Sequence, residues 1–261
     1  MRSAFNIKDK NVKPFFEENG YVIVKDFFSK KNCDQFLKII YKYSTTEYAP
    51  IMNPDRVDFL ISQSLQKIEK FNKLKEKTKF IRDLQNDAEY FKSVITDQKI
   101  LNLLKKIKNK KINALMSQMI FKKANTTYSL QSWEPHQDNS YPKNKNGEYI
   151  TINIFMNDSN KNNGTLYIWE KSHRYGIFNY KRKISYREKD SRPGNISKSK
   201  TKFEEKILNF KKGDLLILHG NLVHGSYPNK SRKSRPLYSA SYIPSGEKFI
   251  SGANAQRKII E

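Results

Sequence analysis

The sequence predicts a mainly β-protein with flanking helices, in which an antiparallel barrel or jelly roll is braced by helices on one side. Two observations carry this prediction: segments with helical periodicity dominate residues 1–110, and about eight short segments with strand character follow them. Turn residues separate these strands, as in the run Asn-Asp-Ser-Asn-Lys-Asn-Asn-Gly at 157–164. We predict a single domain over 1–261, with a helix-rich part at 1–110 and a jelly-roll core at 111–245.

The first half carries start and stop signals for helices. Residues 12–19 end at Gly20, a residue type that readily adopts the left-handed conformation found after a helix C-terminus. Ser29 is suited to cap a second helix over 30–43, because its hydroxyl can accept a bond from an unpaired backbone N–H. Residues 59–108 are rich in Leu, Ile, Lys and Glu, and their apolar spacing predicts two to four further helices.

The second half alternates in the manner of strands, most clearly at 149–156, where isoleucine recurs at every second position. A polar, charged stretch at 180–205, with a Pro-Gly pair near its middle, predicts a lid-like insertion in this β region. The other predicted strands lie at 21–24, 112–121, 128–133, 165–169, 207–210, 214–218 and 235–243.

The composition excludes global disorder, since hydrophobic residues make up 37% and aromatic residues 13% of the chain. The net charge of +24 is typical of proteins that bind nucleic acid or an anionic surface. However, arginine supplies only ten of the 50 basic residues, and base readout and phosphate forks favour arginine over lysine. We interpret most of the charge as a lysine-rich surface and expect no specific nucleic-acid partner. The positive charge is also consistent with a basic entrance to the active site that attracts an acidic substrate.

The single cysteine, Cys33, cannot form an internal disulfide, which fits a reducing compartment. No apolar run approaches the roughly 20 residues that a membrane span requires. The polar stretch 1–13 lacks the apolar core of a secretory signal. We therefore expect a cytoplasmic protein with no membrane span, and the motifs carry no signal for an oligomeric state.

The chemistry is concentrated in an ordered set of motifs. His136 and Asp138 are two residues apart, so on a strand their side chains would point to the same face. His219 and His224 are two candidates for a third metal ligand, and Arg235 follows on the next predicted strand. Two histidines and one carboxylate on a non-haem iron leave three positions open, which suit a bidentate 2-oxo acid and dioxygen. An arginine fork can hold the distal carboxylate of such an acid.

These motifs resemble the phytanoyl-CoA dioxygenase family, and the resemblance spans nearly the whole chain. It is weakest over the helical stretch 55–108. The stretches that carry it are 16–27, His136-Gln137-Asp138, Asn163-Gly164-Thr165-Leu166, Ser172-His173-Arg174, Gly213-Asp214, Leu222-Val223-His224-Gly225-Ser226 and Arg235.

The resemblance implies an iron(II)- and 2-oxoglutarate-dependent oxygenase on a double-stranded β-helix, with dioxygen as the other co-substrate. His136, Asp138 and His224 would bind the iron. Arg235 would pair with the distal carboxylate of 2-oxoglutarate, and Ser226 would add a hydrogen bond. Two strand residues are further candidates for lining the oxo-acid pocket: Gln118 and Asn153.

Each assignment has a competitor in the sequence. The family pattern places the ligand in the His-Gly-Ser triplet, which favours His224 over His219. Arg235 begins an alternating apolar strand, whereas Arg232 lies in a charged turn and is expected to be solvated. For His173 we expect a structural hydrogen bond near a turn and no metal contact.

The residues that flank the ligand pair, Trp133, Asn139 and Tyr141, are candidates for facing the substrate. Related halogenases replace the carboxylate ligand with a small residue, which opens a place for chloride. Asp138 is present here, so hydroxylation is favoured, while desaturation and epimerisation stay open.

We therefore predict a dioxygenase that hydroxylates an unactivated C–H bond of a small polar or anionic metabolite. Two alternatives are a basic nucleic-acid-binding protein with incidental histidines and a catalytically silent member of the family.

Overall fold

The computed structural model describes residues 4–43, 57–59, 78–86, 88–124, 132–178, 203–250 and 257–260. Its strands are β1 (Ala4–Phe5), β2 (Tyr21–Val24), β3 (Val57–Phe59), β4 (Thr78–Arg82), β5 (Ile112–Ile120), β6 (Trp133–His136), β7 (Ile150–Phe155), β8 (Leu166–Trp169), β9 (Glu205–Ile207), β10 (Leu215–His219), β11 (His224–Ser226) and β12 (Leu237–Pro244). Its α-helices are α1 (Val12–Asn19), α2 (Lys30–Tyr43), α3 (Glu89–Ile95) and α4 (Gln98–Lys108).

The strands form two sheets with a cavity between them. The larger sheet has eight strands in the order β1-β2-β10-β7-β12-β5-β4-β3, and the smaller has four in the order β6-β11-β8-β9. Neighbouring strands are antiparallel, except for the parallel pair β1 and β2. This arrangement confirms the predicted jelly roll, in which two facing sheets enclose the interior.

The central strands β7 and β12 are buried along their whole length on both faces. One face lines the cavity and the other is covered by helices. On the covered face, Phe36 of α2 packs edge-on against Tyr238 of β12, with ring centroids 5.1 Å apart. The Tyr242 hydroxyl donates a hydrogen bond of 2.9 Å to the carbonyl of Ile95, at the end of α3. The helices therefore brace the larger sheet, as the sequence predicts.

The predicted helix signals at the N-terminus are confirmed. Gly20 follows α1 with a φ of 80°, and its N–H donates to the Phe16 carbonyl. The Ser29 hydroxyl accepts a bond of 3.1 Å from the N–H of Asn32 in the first turn of α2. These caps set where the chain leaves each helix and enters the sheet.

Two of the two to four helices predicted within 59–108 are α3 and α4, but the segment 78–82 forms the strand β4. This strand pairs with β5, placing Arg82 opposite Gln118. Local composition does not reveal this pairing, because a five-residue segment can be strand or helix until it meets a partner. The apolar set at 61–71, the segment 128–131 and most of the insertion at 180–205 lie outside the described residues.

Other strand predictions shift at their ends. The strand expected at 207–210 is β9, which ends at Ile207. The predicted turn at 219–225 contains the start of the short strand β11. A segment of three residues is too short for alternation to identify, so the sequence gives no strand signal there.

The Gly213-Asp214 motif joins the N-terminal part to the core. The Asp214 carboxylate is fully buried and accepts hydrogen bonds from Lys25 Nζ at 2.7 Å and the backbone N–H of Lys211 at 2.8 Å. These bonds fix the start of β10 beside the end of β2. The strand β10 then leads through residues 220–223 to His224, the first residue of β11.

In the part of the chain that the structure describes, no helix is long and apolar enough to cross a membrane.

Candidate active site

The paired strands β6 and β11 bring the two halves of the sequence motif together. His224 lies directly opposite His136 in the antiparallel register. The strand β6 ends at His136, and Asp138 begins a short 3-10 turn that extends to Ser140. Gln137 keeps an extended backbone between them, with φ −121° and ψ 127°. His136 and Asp138 therefore still point to one side, as the two-residue spacing predicts.

Among the described residues, His136, Asp138 and His224 form a group whose ligand atoms lie within 4.8 Å of one another. Asp138 Oδ1 is 3.8 Å from His136 Nε2, and Asp138 Oδ2 is 3.6 Å from His224 Nε2. The two imidazole rings have centroids 4.4 Å apart. One carboxylate thus lies between two imidazole nitrogens that both point to the same place.

The backbone selects the tautomer of both histidines. His136 Nδ1 lies 2.7 Å from the carbonyl oxygen of Glu134, and His224 Nδ1 lies 3.0 Å from that of Leu222. A carbonyl oxygen only accepts, so each Nδ1 carries the proton and each Nε2 keeps its lone pair. Two such nitrogens and a carboxylate are a donor set that fits a divalent iron ion.

Gly225 explains why the ligand stands in a His-Gly-Ser triplet. A Cβ atom at this position would lie 2.3 Å from Tyr167 Oη and 2.5 Å from the Trp133 carbonyl oxygen. Both distances are well below van der Waals contact, so only glycine lets the central strand β11 approach its two neighbours. The close approach keeps His224 opposite His136.

Buried amides hold the loops around the ligands. Gln137, between the two ligands in sequence, donates to the carbonyls of Asn221 at 2.6 Å and Gly176 at 2.7 Å, and accepts from the N–H of Phe178 at 2.7 Å. The expectation that Asn139 faces the substrate is wrong. Its amide is fully buried and donates to Asn221 Oδ1 at 2.9 Å, away from the cavity lining.

The three candidate ligands line a cavity of about 990 Å³ between the sheets. Trp133 and Tyr141, also predicted to flank the site, line it as well. On the larger sheet, inward-facing residues form cross-strand rows over β5, β12 and β7. Successive rows are about 7 Å apart, because two strand residues span that length. The rows are Gln118, Ser239 and Asn153, followed by Met116, Ser241 and Thr151.

Arg235 closes one end of the cavity. It is 1% exposed, and its Nε donates to the carbonyl of Gly164 at 3.1 Å. Gly164 has a φ of +85°, which accounts for the Asn-Gly-Thr motif, because the left-handed region favours glycine. Ser226 also lines this end of the cavity, whereas Arg232 is exposed in its turn, as predicted.

Lys122 is a residue of this region that the sequence analysis missed. It is fully buried behind the cavity, and its Nζ donates to Ser226 Oγ at 2.7 Å and to the carbonyl of Tyr227. Burial, together with the neighbouring Arg235 cation, lowers the pKa of Lys122 to about 6. In the sequence, Lys122 is one of many lysines at a strand end, and no local signal marks it as buried.

The remaining two histidines lie apart from the ligand group. His219 Nδ1 accepts a hydrogen bond from the Asn221 N–H at 3.1 Å, and burial lowers the pKa of His219 to about 3. His173 Nε2 is 3.1 Å from the carbonyl oxygen of Glu17. The His173 contact agrees with the structural hydrogen bond that the sequence predicts for it, and His219 lies outside the ligand group, as the preference for His224 implies.

Several solved structures share this architecture, and one of them, EctD from S. alaskensis, has been crystallised with 2-oxoglutarate and 5-hydroxyectoine. The apoform of EctD from S. alaskensis superposes with a TM-score of 0.72 at 15% identity, covering 97% of this chain and 83% of that one. The epimerase SnoN, in complex with Fe3+, alpha ketoglutarate and nogalamycin RO, has a TM-score of 0.68 at 13% identity, covering 95% and 91%. This fold and the family to which the sequence belongs define the class: a non-haem iron, 2-oxoglutarate-dependent dioxygenase that uses dioxygen as co-substrate.

The chain belongs to the phytanoyl-CoA dioxygenase (PhyH) family, whose sequence profile matches residues 16–237. Phytanoyl-CoA dioxygenase 1 of Oryza sativa subsp. japonica is 28% identical over 153 residues, which cover 59% of this chain and 52% of that protein. A probable alpha-ketoglutarate-dependent hypophosphite dioxygenase of Stutzerimonas stutzeri is 23% identical over 230 residues, covering 86% and 75%.

Proposed function

We propose that His136, Asp138 and His224 hold iron(II) in this dioxygenase. The observation that carries the proposal is the convergence of two Nε2 lone pairs and one carboxylate on a single point at the cavity wall. When bound, iron(II) couples the oxidative decarboxylation of 2-oxoglutarate to the oxidation of a substrate C–H bond by dioxygen. This family and this donor set favour an enzyme over a nucleic-acid-binding protein with incidental histidines.

We further propose that the Arg235 end of the cavity holds 2-oxoglutarate. The guanidinium of Arg235 pairs with the distal carboxylate, as a fork suited to two parallel charge-assisted bonds. Lys122 donates to Ser226 Oγ, which leaves the hydroxyl proton of Ser226 free to be donated into the cavity. Gln118 and Asn153 lie in the cross-strand row that follows Ile120 and Leu237 from this end, and they form the polar wall along the oxo acid.

The proposed reaction is hydroxylation of a small polar or anionic metabolite. The cavity has the size of a small-molecule site. The described lining of the cavity contains more cationic side chains than carboxylates. One bacterial relative is named as a probable hypophosphite dioxygenase, and hypophosphite is a small phosphorus oxyanion. The intact Asp138 leaves no free ligand place for a halide, which favours oxygen insertion over halogenation. The cationic lining residues are Arg82, Lys92, Arg235, Arg257 and Lys258, and the carboxylates are Asp83 and Asp138.

Both sheets and the helices that cover the larger one contribute to this site. We therefore propose that 1–261 works as one catalytic domain, with the helix-rich part supporting the sheet that forms the cavity floor.

Replacing Asp138 with Ala tests the metal assignment. The variant should lose bound iron and form succinate from 2-oxoglutarate at a rate lower by at least on the order of 100-fold, because removing a supporting partner of a metal ligand alone costs 10- to 100-fold. His136→Ala should behave in the same way. Iron per protein after desalting and iron-dependent succinate formation are the two measurements.

Asp34→Ala is the matched control, since it removes an exposed carboxylate of α2 that lies outside the cavity. It should retain iron and turnover. Full iron content together with wild-type succinate formation in Asp138→Ala would show that the ligand assignment is wrong.

A further inference from the structure

The end of the cavity away from Arg235 contains buried polar atoms that make no hydrogen bond of ordinary distance and angle among the described residues. Two of these atoms are Thr151 Oγ1 and Ser241 Oγ. Thr151 is 7% exposed and Ser241 is 2% exposed. They are cross-strand neighbours on β7 and β12, in the row beyond Asn153 and Ser239. Both residues line the cavity, so their hydroxyls form one polar patch on its wall.

Arg257 contributes a third such atom from the C-terminal segment. Ile260 anchors this segment to β5, with its N–H donating to the Ala114 carbonyl at 2.9 Å. Arg257 then lines the same cavity, and its Nε is buried without a hydrogen-bond acceptor in the described part of the chain. A guanidinium whose buried nitrogen lacks an acceptor is suited to bind an anion.

Tyr149 connects this patch to the candidate metal centre. Burial raises the pKa of the Tyr149 phenol, the nearby Arg257 and Ser241 oppose that rise, and the charge of Asp138 adds to it. The phenol therefore lies within electrostatic reach of both Arg257 and the metal-binding carboxylate. Arg257, Tyr149 and the three candidate ligands line the same cavity, so a ligand held at Arg257 would share this cavity with the metal centre.

A buried hydroxyl or guanidinium nitrogen without a partner is costly, so such groups are rare unless a ligand or water completes them. Here they comprise two hydroxyls and one cation, which together match the oxygens and the charge of an oxyanion. Arg235 is at the opposite end of the cavity, where the proposed 2-oxoglutarate site already accounts for its charge.

We infer that Arg257, Thr151 and Ser241 form the subsite that binds an oxyanionic group of the substrate, such as a carboxylate or a phosphoryl group. This inference rests on the function proposed for the cavity and assigns the chemistry of its second ligand. The subsite would hold the anionic end of the substrate, while the C–H bond to be oxidised lies beside the metal centre.

Probes that share one carbon chain test the charge requirement. Hexanoate, hexyl phosphate and the neutral hexanamide are titrated calorimetrically into the protein with iron(II) and saturating 2-oxoglutarate under nitrogen. At least one anionic probe should bind more tightly than hexanamide, and the tighter of the two identifies a carboxylate or a phosphoryl group. Equal binding of all three probes would overturn the inference.

The residue assignment is tested with Arg257→Gln. Losing a charged hydrogen-bonding partner should weaken binding of the preferred anionic probe by on the order of 10- to 100-fold and leave hexanamide binding unchanged. Arg257→Lys should recover part of the loss, and Thr151→Val with Ser241→Ala should weaken the anionic probe several-fold. Arg174→Gln is the charge-matched control, because Arg174 is exposed and outside the cavity lining.

Wild-type affinity for the anionic probe in Arg257→Gln would overturn the subsite, provided that the melting temperature confirms a folded variant. Iron-dependent succinate formation by the wild-type protein in air is measured in parallel. If that activity is present and the probes show no charge preference, only the subsite is wrong. If it is absent, the function proposed for the cavity is wrong.

Discussion

The four histidines of the chain form two pairs that look alike by proximity and differ in chemistry. His136 and His224 have ring centroids 4.4 Å apart, and His173 and His219 have centroids 5.0 Å apart. In both pairs, the partners come from segments that are distant in sequence. Distance between imidazoles therefore does not distinguish a candidate metal centre from a packing contact.

What separates the pairs is the surroundings of the nitrogens. The first pair shares the Asp138 carboxylate and lines the cavity. Backbone carbonyl oxygens accept hydrogen bonds from both Nδ1–H groups. The second pair packs beside Phe16, and burial lowers the pKa of both imidazoles, with the charge of Lys108 acting in the same direction. A carboxylate and a defined tautomer prepare the first pair for a cation, whereas the second pair is held neutral.

The largest expected effect appears when one histidine of each pair is replaced in turn with glutamine. His224→Gln should lose bound iron and lower succinate formation by at least on the order of 100-fold, because it removes a direct ligand. His219→Gln should retain iron and most of the activity, since His219 is outside the ligand group. Iron content after desalting decides between the two, and iron loss in His219→Gln alone would reverse the comparison.

Two arginines allow a similar comparison, because Arg235 lines the cavity and Arg232 lies at the surface. Arg235→Gln should raise the KM for 2-oxoglutarate by on the order of 10- to 100-fold, because the distal carboxylate loses a charge-assisted partner. Arg232→Gln removes the same charge from an exposed turn and should leave this KM unchanged. Steady-state succinate formation at varied 2-oxoglutarate measures both, and similar KM values in the two variants would contradict the assignment of Arg235.

The smallest effect is on the pH dependence of stability and involves the packed pair. The folded-state pKa of His219 is lowered to about 3, below the unfolded value, so the unfolded chain binds the proton more tightly. The neutral His219 imidazole therefore contributes its full stabilisation of the folded protein above about pH 6.5, and this stabilisation is lost as the pH falls towards the folded-state pKa. At pH 5, the loss amounts to about 2 kcal/mol.

His219→Gln should remove this dependence while keeping a side-chain acceptor for the Asn221 N–H. Urea unfolding of the metal-free proteins measures the free energy of unfolding at pH 7 and pH 5. The difference between variant and wild type in this free energy should be about 2 kcal/mol more favourable to the variant at pH 5 than at pH 7. A stability difference that is the same at both pH values would show that His219 is not held neutral in the folded protein.

The sequence by itself determined the class of the protein and the identity of its candidate ligands. Metal coordination requires particular side chains in a particular order, and the spacing between His136 and Asp138 already places them on one side of an extended segment. The Gly20 and Ser29 caps were predictable for a similar reason, since each depends on a few neighbouring residues.

Only the tertiary structure decided features that depend on long-range pairing. The segment 78–82 becomes a strand because β5 offers it an edge, and Lys122 is buried because β11 and Arg235 close over it. Arg257 reaches the cavity because the C-terminal segment pairs with β5. In each case, the residue's neighbours in sequence carry no information about the partner that fixes its environment.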